Sequence, residues 1–400
     1  MKRGVILLSV AVLMALFFDS CIDQYPNVPE KYWPELNSAF QEAGANALEL
    51  KQALNNTPVN QKEGMAFLIS NMPQRDLESL TSVFLLENVD YAYRARESYS
   101  WARQVPDSIF FNDVLPYASM NELRDNWRKD FYQRFGKYVV GCNDMRAAID
   151  SVNKNIRNET EVEYNTKREK PDQSPYESIE QKMASCSGLS ILLTDAFRAV
   201  GIPSRLAGTP NWSDNRGNHN WNEVWIDGEW YFKEYYPSGL NKSWFLADAG
   251  KADPNSVEHS IYASSFKPAD TYFPLVWDLA ITYVPAFNVS DRYIKLYQDS
   301  EREKQIAGNR VVVKVWMFKS AVCTLKGDDR VETNVDIFSG DEQIGGGRTS
   351  TPTQDLNDVL EFKLEKNRDY TLKYIGDGGV FKQVGFKTGD ENMEIKLYMK

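Results

Sequence analysis

The order of apolar and polar positions divides the chain into a helical first part, a mixed middle and a strand-rich end. From Leu36 to about Leu54 apolar residues return at helical intervals, with Phe40, Ala43, Ala47 and Leu50 set against Gln41, Glu42, Glu49 and Lys51. Asn55-Asn56-Thr57-Pro58 stops that pattern. A second helix is predicted over about Lys62 to Asn71, with Pro73 beyond it, and Asp76 to Tyr99 reads as one or two more. The run from Ile109 to Tyr117 breaks the helical period. Glu122, Leu123, Trp127, Phe131 and Tyr132 then predict another helix, and Met145 to Ile156 extends the helical region. Residues 165–175 are charged, carry Pro171 and Pro175 and lack any period, which predicts a surface loop.

The middle of the chain changes pattern twice. Leu189, Ile191, Leu192, Leu193, Ala196, Phe197 and Val200 are apolar almost all round a helix, as expected of one buried against a sheet. Gly201 ends it and Pro203 prevents its resumption. Arg205 to Gly208 reads as a strand. Residues 220–226 alternate, Asp227-Gly228 signals a hairpin turn, and Glu229 to Phe232 starts the return strand. Residues 235–267 look irregular, with short helical pieces near Trp244-Phe245 and Ala247 to Gly250. Beyond about residue 305, six strands are predicted, with Gly345-Gly346-Gly347 and Gly376 to Gly379 as Gly-rich turns between some of them. Successive short strands of this kind suggest a small β-sandwich over 305–400.

Composition narrows the function. Apolar residues are 42% and charged residues 26%, the profile of a folded domain. A net charge of -10 argues against nucleic acid, which asks for a basic footprint. Aromatic residues reach 13%, enough for a core and also for a cleft that takes peptide or sugar. At the start, Lys2 and Arg3 precede an apolar run from Val5 to Phe18, the order of an export signal and too short to span a bilayer comfortably. Cys21 follows the small residue Ser20 at the end of that run, as the acceptor of a lipoprotein signal does. The expectation is a signal over 1–20, lipidation at Cys21, and an exported protein anchored in a bacterial cell envelope by lipid alone. A plain secreted protein with Cys21 left over is the other reading.

Three cysteines remain, too few for a disulfide scaffold. Cys142 and Cys323 read as ordinary buried thiols, with a disulfide between them left open. No cysteine or histidine spacing suits zinc or an iron-sulfur cluster, so neither metal nor cofactor is expected. Cys186 stands apart because it opens the buried helix, where unsatisfied backbone donors and the helix dipole favour a thiolate. His219, one of two histidines, opens the strand 219–226 and can serve as its base if the two element starts share an edge. Glu234 lies on the return strand, where hairpin register can bring it to the imidazole as the third group. Asp227 falls in the turn, and Glu223 is roughly 13 Å from His219 along an extended strand. The Cys186 backbone N–H is the first oxyanion donor, with Gln181 or Lys182 as candidates for the second. Trp212, Trp221 and Trp244 are candidates for a substrate cleft, and His259 is read as structural.

Ala184-Ser185-Cys186-Ser187-Gly188, Gly201-Ile202-Pro203-Ser204-Arg205 and His219 to Trp225 with Gly228 and Trp230 resemble the core of the transglutaminase-like superfamily. The resemblance spans about residues 108–240. Val114 to Tyr117 with Glu122 look like a lead-in seen in bacterial members, and residues 240–290 like an extension found in envelope proteins of Bacteroidetes. It implies a papain-like core over 108–300; with the tether and helical region over 21–107 and the all-β sandwich over 305–400, both read from the pattern of residues, the expected fold class is α+β. It also implies Cys186 as nucleophile and His219 as base, with Glu234 where the family usually has Asp. The family's chemistry is acyl transfer through a thioester, here expected on peptide or glutamine amides, with hydrolysis favoured over cross-linking. The expected partner is a peptide, protein or peptidoglycan-like substrate. The alternative is an inactive scaffold of the same fold that binds glycan or protein at the cell surface.

Overall fold

The structure is a computed structural model that describes residues 24–306, 309–321, 329–353 and 359–400. The chain divides into two compact units, Met1–Leu86 and Glu87–Lys400. The first holds α1 (Trp33–Glu42), α2 (Ala47–Asn56), α3 (Lys62–Asn71) and the short α4 (Gln74–Leu77). The single helix expected over 36–54 is two, parted by a 3-10 turn at Gly44–Asn46. Leu36, Phe40, Leu50, Leu54, Met65 and Leu68 form the buried side of these helices, the positions that the helical period selects. Helix α5 (Ser82–Ser98) runs through the division between the units.

The second unit continues with α6 (Ser100–Arg103), α7 (Asp107–Asp113), α8 (Arg128–Val139) and α9 (Met145–Thr160). Here the sequence reading fails locally. Helix α8 starts at Arg128, so Glu122, Leu123 and Trp127 lie before it in irregular chain. Glu122 instead accepts the backbone N–H groups of Ser119 and Met120 at 2.7 and 2.8 Å. Irregular chain this deep leaves carbonyls that need donors. Two buried guanidinium groups supply them. Arg128 donates to the carbonyls of Val114, Leu115 and Pro116, and Arg198 to those of Asp113, Ser204 and Ala118.

Strand β1 (Glu163–Tyr164) pairs with β2 (Met183–Ala184) on either side of α10 (Pro175–Gln181). Helix α11 (Cys186–Ala199) follows, capped by the Ser185 side chain, which accepts the Gly188 N–H. Gly201 stops it at φ +75°, a backbone shape that glycine adopts at little cost. The helix packs on β3 (Ser204–Thr209) and β4 (His219–Ile226), which with β5 (Glu229–Lys233) form the expected antiparallel hairpin layer. That layer is wider than the sequence suggests. After α12 (Leu246–Ala249) the chain adds β6 (Tyr262–Ser264), β7 (Thr271–Tyr272) and β8 (Pro285–Asn288), giving the order β5-β4-β3-β6-β8-β7. Helix α13 (Ser290–Ile306) then leads to the last domain.

The C-terminal domain is a β-sandwich, as the pattern of strands predicts. Strands β9 (Arg310–Phe318), β12 (Leu360–Glu365) and β15 (Met393–Tyr398) form one sheet, with β9 central. The other has the order β11-β10-β13-β14, from β10 (Asn334–Ser339), β11 (Glu342–Arg348), β13 (Asp369–Ile375) and β14 (Phe381–Lys387). Val313, Val315, Ile337, Leu372 and Leu397 meet between the sheets. Gly345, Gly346 and Gly347 are not a turn but part of β11; the turn is at Gly340-Asp341. Close neighbours explain the glycines. A Cβ on Gly346 would stand 2.7 Å from the Asp336 carboxylate, and one on Gly347 2.3 Å from Leu360.

Replacing Arg128 with Met strips three buried carbonyls of a donor. We expect unfolding free energy to fall by about 3 kcal/mol or more in urea denaturation. An unchanged midpoint would mean that the guanidinium does not hold this segment.

Candidate active site

Two element starts meet at the site. Cys186 is the first residue of α11 and His219 the first of β4. Strand β4 is tied to the helix by its even positions: the Asn220 side chain donates to Ser187 Oγ at 2.7 Å, and that of Asn222 to the Ser190 carbonyl and Thr194 Oγ1 at 2.8 and 2.7 Å. Alternation puts the odd positions on the other face. There Trp221 donates to Tyr293 and Glu223 accepts from Tyr293, Arg205 and Arg292. This pins the strand from both sides, so the His219 ring has a fixed base.

Cys186 and His219 each favour the charged form of the other. Burial alone pushes the thiol up; the His219 hydrogen bond and charge, the Asn220 backbone N–H and the Ser187 hydroxyl outweigh it and bring the thiol below its ordinary value. For His219, burial disfavours the cation, but hydrogen bonds to Cys186 and Glu234 raise its pKa to about 9. Each shift therefore runs toward the thiolate–imidazolium pair that makes a cysteine nucleophilic. Helix geometry helps, because the Cys186 N–H belongs to the first turn and has no acceptor within the helix. Cys186 is only half-buried, so a substrate carbonyl can reach it.

Glu234 Oε1 lies 2.8 Å from His219 Nε2. That fixes the proton of the ring on the Glu234 side and leaves Nδ1 for the thiol. The register explains the reach: Lys233 pairs with Asn222, so the next residue stands diagonally from His219. The carboxylate is itself held, since Ser243 Oγ donates to its second oxygen at 2.5 Å. Sequence reasoning missed Ser243, and no spacing signal points to it, because it sits in irregular chain nine residues further on. Four aromatic rings surround the imidazole, with centroids from 5.0 Å (Trp244) to 6.2 Å (Trp212). Such faces also favour a cation.

Other expected residues lie elsewhere. Gln181 accepts the Glu169 N–H, and Lys182 pairs with Glu161 at the surface. Trp221 and Trp212 are 1% and 5% exposed and stack on each other in the aromatic core, so they hold the His219 strand rather than line a cleft. Trp244 is half-buried, its ring 5.0 Å from that of His219, and it lines an open cleft together with Ser243. Cys142 sits half-buried in the α8–α9 connection, not in a helix core. His259 Nδ1 contacts the Asn211 carbonyl, a structural role. Cys21 and Cys323 lie outside the described residues. Among the described residues no cluster of His, Cys, Asp or Glu could hold a metal ion, and no helix is long and apolar enough to cross a membrane.

The family model of the transglutaminase-like superfamily matches residues 133–234, the segment that contains Cys186, His219 and Glu234. The chain therefore carries a transglutaminase-like domain, a fold of cysteine-dependent enzymes. Among solved structures, it is similar to a provisionally assigned cysteine protease from Cytophaga hutchinsonii, at 19% identity over 46% of this chain and 64% of that one, with a TM-score of 0.27. It is also similar to red sea bream transglutaminase, at 10% identity over 76% of this chain and 59% of that one, with a TM-score of 0.27. The chain thus spans less than two thirds of the length of either protein. No curated protein matches it.

Alkylation of Cys186 by iodoacetamide reads the thiolate directly. In the wild type the rate should persist well below pH 9, because the imidazolium, with a pKa of about 9, stabilises the thiolate up to that pH. In His219→Ala only burial and the neutral donors remain, so the profile should move to alkaline pH. Identical profiles would show that the pair does not form.

Proposed function

We propose that this transglutaminase-like domain is a cysteine-dependent amide hydrolase that works through a thioester. The observation that carries the reading is the unbroken chain from the Cys186 thiol through His219 to Glu234 and Ser243. Each member is held by another, which an inert scaffold would not require.

In the first step Cys186 Sγ attacks the amide carbonyl carbon. The oxygen takes the negative charge and faces the Cys186 N–H at the helix start. The imidazolium of His219 gives its Nδ1 proton to the leaving nitrogen as the C–N bond breaks, leaving a thioester and a neutral ring. Glu234 holds the ring through Nε2 during this transfer, as its bond to Ser243 prevents the carboxylate from turning. A water molecule then loses a proton to Nδ1 and attacks the thioester. The thiolate departs, the acid is released and the imidazolium is restored. Water is the favoured acceptor because hydrolysis needs no second binding site. The substrate class is a peptide bond or a glutamine side chain. Lys2-Arg3, the apolar run to Phe18 and Cys21 support work at a bacterial cell envelope from a lipid anchor.

The test is a panel of glutamine-containing peptides followed by mass spectrometry and by ammonia release. The wild type should cleave or deamidate members of the panel without any added amine, and Cys186→Ala should lose this by at least about a thousandfold while retaining its fold. Undiminished hydrolysis by Cys186→Ala would overturn the mechanism. Product that forms only with an added primary amine would replace hydrolysis by cross-linking.

A further inference from the structure

Arg216 stands where the papain-like core meets the β-sandwich. It lies three residues before His219, in the irregular chain that joins β3 to β4, and its side chain is only 7% exposed. Its Nε pairs with Asp214 at 2.8 Å, and its Nη2 pairs with Asp248 of α12. Its Nη1 lies against Gly346 of β11, where a Cβ would stand 2.8 Å from it and 2.7 Å from the Asp336 carboxylate of β10. The Arg216 charge also favours the ionised form of that carboxylate. One guanidinium thus serves two carboxylates of the core and one of the sandwich. A buried guanidinium is costly unless its donors are met, so it ties together the segments that supply its partners.

Both core segments that Arg216 ties lead directly to the His219 ring. The first is its own loop. There the Trp212 N–H bonds to the Gly217 carbonyl at 3.0 Å and the Gly217 N–H to Asn211 Oδ1 at 2.9 Å, which closes residues 211–217 on themselves. Gly217 makes that return at φ +99°, a shape open to glycine. A shift of Arg216 is therefore passed to Trp212, whose ring lies 6.2 Å from the imidazole. The second segment is the turn that enters α12. The Asp248 N–H bonds to the Phe245 carbonyl at 3.0 Å, so the carboxylate that Arg216 holds belongs to the same turn as Phe245. Phe245 and Trp244 flank the imidazole at 5.5 and 5.0 Å, and Ser243 just before them holds Glu234. The rings around His219 and the anchor of its carboxylate thus share one cation, and that cation bears on the sandwich.

We propose that Arg216 is a positioning residue through which the docked β-sandwich fixes the His219 ring against the Cys186 thiol. The inference rests on the enzymatic reading for why that pair must be held, and on the geometry around Arg216 for how it is held. It gives the C-terminal domain a part in the chemistry without a residue of its own at the thiol. Gly346 belongs to the same device, because bare backbone lets the guanidinium close onto β11. A methyl group there acts as a wedge. The two groups that it would meet are ends of flexible side chains, so the strand keeps its place and the guanidinium gives way.

The experiment reads the thiolate rather than turnover. Full-length wild type, Arg216→Gln, Arg216→Lys and Gly346→Ala are alkylated with iodoacetamide across a pH series, and the peptide that contains Cys186 is quantified by mass spectrometry. Circular dichroism and urea midpoints establish that each protein is folded at the assay temperature. A rise of one unit in the thiol pKa removes about nine-tenths of the thiolate below it, so Cys186 of Arg216→Gln and of Gly346→Ala should react about tenfold more slowly near about pH 6.5 and at close to the wild-type rate near about pH 10. Gly346→Ala removes no charge, so its shift reports displacement alone, and it decides the matter if Arg216→Gln does not fold. Arg216→Lys keeps the charge without the fork that reaches two carboxylates, and its profile should fall between those of wild type and Arg216→Gln. Lower urea midpoints with wild-type profiles in the folded variants would make the cluster a matter of stability only and overturn the proposal. A shift in Arg216→Gln without one in Gly346→Ala would overturn the part given to the sandwich. Shifted profiles without amide hydrolysis by the wild type would sink the hydrolase alone. Hydrolysis with unshifted profiles would sink this inference alone.

Discussion

The Cys186 thiol and the His219 imidazole, each favouring the charged form of the other, form the interaction on which this structure depends. Neither charge is stable there alone: burial raises the thiol pKa and lowers that of the imidazole. Together they compensate each other, provided that the sulfur and the ring cannot drift apart. The rest of the core can be understood as the means of preventing that drift. The Ser185 cap sets where α11 begins, Asn220 and Asn222 tie β4 to that helix, and Glu223 with Tyr293 ties the same strand from behind. Glu234 and Ser243 then leave the ring one orientation.

The same logic of compensated burial appears on the far side of α11. Irregular chain from Val114 to Met120 packs deep, where a helix or strand would have satisfied its own backbone. Arg128 and Arg198 take over that task, each serving several carbonyls, and desolvation brings both guanidinium groups below their ordinary pKa. Charge inside the protein is tolerated in both places because it is spread over hydrogen bonds. In one place the result is reactivity, in the other rigidity. The Glu234 carboxylate is held in the same manner, with one anchor in His219 and a second in Ser243.

The C-terminal sandwich changes meaning once its position is known. Its sequence contains no nucleophile and base, and it reads as a separate module. In the structure Asp336 and Gly346 stand against Arg216, two residues before the loop ends at Asn218 and the strand of His219 begins. A domain without a nucleophile and base pair of its own thereby packs against the loop that leads into the strand of His219.

Much of this was legible in the sequence. Periodicity gave α3, α11, the β3–β5 layer and the sandwich strands other than β11, because burial of one face imposes a period of its own on each. Cys186 at a helix start, His219 at a strand start and Glu234 beyond a hairpin turn could be paired because hairpin register is local. Tertiary structure alone decided the remainder. Glu122, Leu123 and Trp127 have helical spacing yet lie outside a helix, where the Glu122 carboxylate accepts the Ser119 and Met120 N–H groups and Arg124 donates to the Glu122 carbonyl. Trp212 and Trp221 became support for the imidazole because the ring stack forms between a loop and a strand. Gly345 to Gly347 spell a turn by composition, but Asp336 and Leu360 stand too close for any Cβ on Gly346 or Gly347, and a strand resulted. A period records what a residue's own element needs; which distant group occupies the space beside it is settled only when the elements pack.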